Sequence, residues 1–117
     1  MFIINENERE YRFGDSGPKY LMRGPNVDFG LVCLQPGQGF PNHLHERIEE
    51  NFFILEGEVT ILIDSKEVGT LKPGDLIHVP PGEAHYLENR GTVPMVAVFV
   101  KAPYEPEDKV DVPLEEK

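Results

Sequence analysis

Two histidines and three glutamates crowd into residues 43–51, HLHERIEEN. Imidazole and carboxylate are the side chains that bind divalent transition metals, so the first question is whether their spacing lets them converge. On a strand, residues i and i+2 share a face, and His43 and His45 would point the same way; on a helix the same spacing would splay them by about 200°. A third imidazole, His85, follows PPGEA, a turn that ends one strand and starts another. Taken singly, an H-x-H pair is more often surface chemistry, and a histidine after a turn more often a hydrogen-bonded structural one. Further ligands must come together from elsewhere in the fold to make a site.

The elements available for that task are strands. Apolar residues never recur at helical spacing over three turns without a Pro or Gly interrupting them, whereas short runs rich in Val, Ile, Leu, Phe and Tyr are frequent. Strands are predicted at 19–23, 28–35, 51–56, 58–64, 66–71, 75–80, 84–89 and 94–102, separated by GPN, PGQGFPN, DSK, KPGD, PPGE and NRGTVP turns. About eight short strands with turns this regular predict an all-β domain, either a closed barrel or a jelly roll of two packed sheets. The run FFIL (52–55) is apolar at successive positions, which predicts burial on both faces. From Pro103 onward the chain is acidic and proline-containing, and it reads as an arm rather than a ninth strand. The prediction is one domain over 1–117 with its barrel core at about 19–102.

The chain has 21 acidic against 11 basic residues, a net charge of −10, which opposes contact with a phosphate backbone or anionic lipid. Neither nucleic acid nor membrane is an expected partner. No apolar run approaches the ~20 residues that span a bilayer. The one cysteine, Cys33, lies in the apolar run FGLVCLQPG and is expected to pack in the core in a reducing compartment, so a cytoplasmic location is expected.

Residues 37–57, GQGFPNHLHERIEENFFILEG, resemble the first signature of the cupins, G-x5-H-x-H-x(3,4)-E-x6-G, through Gly37, His43, His45, Glu50 and Gly57. Residues 74–89, GDLIHVPPGEAHYLEN, resemble the second, G-x5-P-x-G-x2-H-x3-N, through Gly74, Pro80, Gly82, His85 and Asn89. The resemblance implies a small double-stranded β-helix, a jelly-roll barrel. It also implies a single divalent metal ion held by His43, His45, Glu50 and His85. Such a donor set suits Fe, Mn, Ni, Cu or Zn and leaves coordination positions open. The glutamate follows from the family spacing to Gly57 together with strand parity: Glu50 lies in phase with Phe52 and Ile54, and Glu49 with Asn51, Phe53 and Leu55. Glu46 falls in a turn and is expected in solvent.

An apolar lumen beside a metal is a small-molecule site. Candidate walls are Phe40, Phe52, Ile54, Met95 and Phe99; polar candidates are Tyr20, Arg23, Gln35, His78 and Tyr86, with Arg23 able to clamp a carboxylate or phosphate. No nucleophile with an adjacent base and no phosphate-cradling loop is evident, so any catalysis must run through the metal. The resemblance implies a metal-dependent enzyme of dioxygenase or sugar isomerase or lyase type. Alternatives are a non-catalytic module that binds or senses a sugar-like molecule, and a barrel that the metal only stabilises. A homodimer is expected, formed through sheet packing or through exchange of the 103–117 arm.

Overall fold

The computed structural model describes residues 1–115. Ten strands follow a single 3-10 turn at Glu6–Glu8: β1 (Gly17–Arg23), β2 (Asp28–Leu34), β3 (His43–Leu44), β4 (Glu49–Glu56), β5 (Val59–Ile63), β6 (Lys66–Leu71), β7 (Leu76–Val79), β8 (His85–Glu88), β9 (Met95–Ala102) and β10 (Val110–Asp111). They form two five-stranded sheets, ordered β1-β2-β9-β4-β7 and β10-β3-β8-β5-β6, with every pairing antiparallel. All eight sequence-predicted strands are present.

Strand parity builds the interior. Alternate residues of β2, β4, β5, β8 and β9 meet between the sheets as Val32, Leu34, Phe52, Ile54, Val59, Ile61, Leu87, Met95, Ala97 and Phe99. Burying each of the larger ones contributes about 1.5–3 kcal/mol, which is how short strands with few local contacts hold together. Cys33 is buried, as its apolar run implied.

Two expectations fail. The FFIL run is not dry on both faces: Phe52 and Ile54 are buried, but Phe53 and Leu55 are 42% and 43% exposed on the outer side of their sheet, because no layer covers it. Nor is the segment after Pro103 a mere arm. Its β10 pairs with β3 through Val110 opposite Leu44 and Asp111 opposite His43. Beyond the pair, the Val112 N–H donates to the Asn42 carbonyl and the Asn42 amide returns a bond to Val112, both at 3.0 Å. The prolines lie outside the two paired residues, so they spare the ladder.

The glycine and asparagine of the two motifs serve as framework. Gly57 joins β4 to β5 at φ +72°, and a Cβ there would collide with the Pro94 carbonyl. Asn89 is fully buried, donating at 2.9 Å to the carbonyls of Leu34 and Val93 and accepting from Gly91 N–H at 2.9 Å. Its main chain binds Gly37 and Gln38, so the end of the second motif is fastened to the start of the first. Replacing Asn89 by leucine orphans the buried Leu34 carbonyl at about 1–3 kcal/mol and frees the half-buried Val93 and Gly91 groups to solvent, and a fall in the urea midpoint is expected.

Candidate metal centre

His43 on β3 lies directly opposite His85 on β8. His45 follows just beyond β3, where the Gly82 N–H of the PPGEA turn holds its carbonyl at 2.7 Å. These three come from one sheet, and Glu50 comes from β4 in the other. The cluster therefore bridges the two sheets.

One potential ligand atom from each of His43, His45, Glu50 and His85 lies within 4.8 Å of every other, and all four residues are buried. Glu50 Oε1 is 3.7 Å from His43 Nε2, 3.2 Å from His45 Nε2 and 2.9 Å from His85 Nε2. The opposite edge of each ring meets a main-chain carbonyl. His43 Nδ1 donates to Pro41 at 2.8 Å, His85 Nδ1 to Glu83 at 3.2 Å, and His45 Nδ1 to Asp108. A carbonyl can only accept, so each Nδ1 carries the hydrogen and each neutral ring turns a bare Nε2 lone pair toward the carboxylate. Three lone pairs facing a carboxylate repel one another unless protons or a cation lie among them. The donor set and its orientation thus fit a divalent metal ion.

The remaining glutamates behave as parity predicts. Glu49 lies on the outer face, 3.3 Å from His78 Nδ1 and accepting from Asn51 at 3.0 Å; Glu46 is exposed. Asp108, from the segment before β10, accepts the N–H groups of Glu46, Arg47 and Ile48 at 2.8, 2.8 and 3.0 Å. It thereby fixes the bend between His45 and β4. Burial works against the charge of Asp108, but those three bonds prevail and hold its carboxyl below the usual range.

With protons in place of metal, the cluster is an ion pair. Burial pulls the His45 imidazole down, but its bonds to Glu50 and to the Asp108 carbonyl outweigh that and raise it. Burial likewise pushes Glu50 up, yet the bonds from His43, His45 and His85 hold it well below the carboxylate range. A raised imidazole stabilises the fold below its ordinary value near 6.5 and loses that contribution as pH rises through the raised value. Metal-free protein should therefore soften as pH rises through that raised value. Metal-loaded protein should do the reverse, losing its ion as pH falls. Melting temperature against pH, with EDTA and with added Mn(II), checks both slopes.

The cluster opens into a cavity of about 800 Å³ lined by His43, His45 and Glu50, with Phe40, Phe52 and Phe99 among its apolar walls. Of the predicted pocket residues, Tyr20, Arg23, Phe40, Phe52 and Phe99 line it. Ile54 and Met95 are core residues, completely buried beyond it. His78 and Tyr86 have the opposite parity to Val79 and to His85 and Leu87, so they face outward; Tyr86 lies against Gly39. Gln35, past the end of β2, is tied to the Asp15 carbonyl at 2.9 Å. Sequence reasoning missed Lys101, Asp28 and Ile48 on the cavity wall. Parity could have found two of them, since Lys101 is in phase with Phe99 and Ala97, and Asp28 with Gly30 and Val32.

Two packed antiparallel sheets bridged by a cluster of three histidines and a glutamate that could hold a metal ion define a class of β-sandwich, and residues 30–101 match the Cupin domain family. The chain belongs to that family. It is 38% identical over 98 residues to quercetin 2,3-dioxygenase of Bacillus subtilis, covering 80% of this chain and 29% of that one. It is 31% identical over 77 residues to the tetracenomycin polyketide synthase protein TcmJ of Streptomyces glaucescens, covering 66% of this chain and 51% of that one. The chain thus spans about half of TcmJ and under a third of the dioxygenase. Among solved structures, the polyketide cyclase RemF of Streptomyces resistomycificus superposes with a TM-score of 0.82 at 20% identity, over 99% of this chain and 88% of that one. Among the described residues no helix is long and apolar enough to cross a membrane.

Proposed function

We propose that this protein is a metal-dependent enzyme acting on a small oxygenated molecule, with one divalent ion held by His43, His45, Glu50 and His85. The observation that carries this is the orientation of the three rings, each fixed by a carbonyl at Nδ1 so that Nε2 faces Glu50 at the wall of the cavity. When bound, the ion supplies Lewis acidity and redox chemistry to an oxygen of the substrate. The protein's own residues do the rest. Glu50 offsets the ion's charge, the carbonyls keep the rings from turning, and the half-buried Phe40, backed by the core rings Phe52 and Phe99, gives the cavity an apolar wall.

The dioxygenase reading is supported by the 38% identity to an enzyme of that name and by the aromatic walls. Oxygen uptake over diketones, catechols and thiols, run beside an isomerase screen of keto-sugars and uronates on protein of known metal content, tests it. Uptake with one substrate class is expected. Turnover only in the isomerase screen would replace the dioxygenase reading, and silence in both, with a ligand raising the melting temperature, would favour a binding module. Elemental analysis identifies the ion.

A homodimer is part of the same proposal. Phe29, Phe53, Leu55 and Leu76 leave large apolar surface exposed on the β1-β2-β9-β4-β7 sheet, while the 103–112 segment is engaged with its own barrel. Light scattering at micromolar concentration should give twice the chain mass, and Phe53→Glu should halve it.

A further inference from the structure

A row of four charged side chains crosses the cavity wall. Strand register places Arg23 opposite Asp28, Asp28 opposite Lys101 and Lys101 opposite Glu50, so β1, β2, β9 and β4 contribute cation, anion, cation and anion in turn. All four line the cavity. We infer that Lys101, Tyr20 and Arg23 form a carboxylate subsite beside the metal cluster, and that the molecule taken is a planar organic anion.

The cations of this row keep unused N–H donors, although Lys101 has Asp28 as its counter-charge. Lys101 is only 15% exposed, and its ammonium donates to the Tyr20 hydroxyl at 2.6 Å. Asp28 Oδ2 is 4.0 Å away, beyond hydrogen-bond reach, while Asp28 Oδ1 accepts the Gly24 N–H at 3.1 Å. Lysine has three N–H donors, so a desolvated ammonium here still has capacity to bind. Arg23 stacks over the Tyr20 ring at 4.4 Å and has no carboxylate partner among the described residues. Its planar fork is suited to a carboxylate.

Of the wall's carboxylates, all but Asp28, which keeps Oδ2 toward Lys101, are engaged elsewhere. Glu50 faces the three imidazoles, Asp108 holds three N–H groups, and Glu105 lies 3.7 Å from Arg47. Arg12 and Lys109 also line the cavity, so its four cations balance its four carboxylates, Asp28, Glu50, Glu105 and Asp108, in a chain of net charge −10. The next rung inward is aromatic. Phe99 stands opposite Phe52, with the Tyr20 ring edge-on to it at 5.1 Å. Phe99 crosses Gly30 so closely that a Cβ there would sit 2.7 Å from its ring. A flat apolar body on this rung would place its carboxylate on the charged one.

The inference rests on the reading of the cavity as a small-molecule site, but not on the metal, and the test separates the two. Calorimetric titration compares benzoate with benzamide, its uncharged counterpart, on metal-loaded protein and after EDTA. Benzoate should bind at least about tenfold more tightly in both states, as expected for a charge-assisted hydrogen bond. Lys101→Met should abolish the preference and Arg23→Gln should reduce it several-fold. Equal affinity for the two probes, binding of neither, or a preference that survives Lys101→Met overturns the subsite. So does a preference that EDTA removes, since the carboxylate then sits on the metal. A Lys101-dependent preference in protein that retains no metal would keep the subsite while defeating the proposed enzyme. Should Lys101→Met not fold with Asp28 left uncompensated, the Asp28→Asn/Lys101→Met double variant replaces it; if that fails too, an unchanged preference in Arg23→Gln overturns the inference.

Discussion

Glu50→Ala should leave less than about a tenth of the wild-type metal bound, whereas Glu49→Ala should leave it intact. The two carboxylates are adjacent in sequence, so composition and helix or strand propensity cannot distinguish them. Their surroundings do. Glu50 is buried with Oε1 within reach of three Nε2 atoms, and it is the cluster's only contribution from its sheet. Glu49 bonds Asn51 and His78 on the far side of the same strand. Loss of Glu50 removes the one anion that offsets a divalent charge in a buried setting, where an uncompensated ion is costly. Elemental analysis after gel filtration reads the result, and equal metal in both variants would refute the ligand assignment.

The second large effect is mechanical. Phe52→Ala should destabilise the fold by about 3–5 kcal/mol, the range for removing a buried phenylalanine. Phe52 is 2% exposed and lies between Phe99 and Ile77 on neighbouring strands, with Phe40 at 6.4 Å and His85 at 6.2 Å between ring centroids. It supports both the core and one imidazole of the cluster. Phe53→Ala, next in sequence but 42% exposed, should cost much less. Urea unfolding of the two variants in EDTA, at a concentration too low for the proposed dimer, gives the comparison free of metal, and similar midpoints would refute it.

Strand parity and turn chemistry carried most of the fold. The eight strands legible in the sequence are those long enough for β-rich runs to stand between Gly and Pro turns. β3 and β10 are two residues each: β3 pairs with β8 on one side, and β10 forms only when Val110 and Asp111 arrive opposite Leu44 and His43 from 66 to 68 positions away. No local pattern encodes that. The histidines and Glu50 were legible because their spacing is fixed by motif and turn. Lys101 is hard to read because a lysine near a strand end is ordinarily a surface residue, although its phase with Phe99 and Ala97 on β9 points inward. His78 and Tyr86 were overweighted for the converse reason, as chemistry-bearing types on the outward phase.

The contact between the Asp108 carbonyl and His45 sets an order of events during synthesis. All four cluster residues have been made once His85 is in the chain, yet the ring of His45 has nothing to fix its Nδ1 until residue 108 has followed and docked. A nascent chain ending near Ala102 would hold the full set of donors with one of them free to turn. Metal loading at the proposed centre is therefore expected to be a late step, coupled to docking of the segment that carries Asp108, and proteolysis after Ala102 is expected to weaken it.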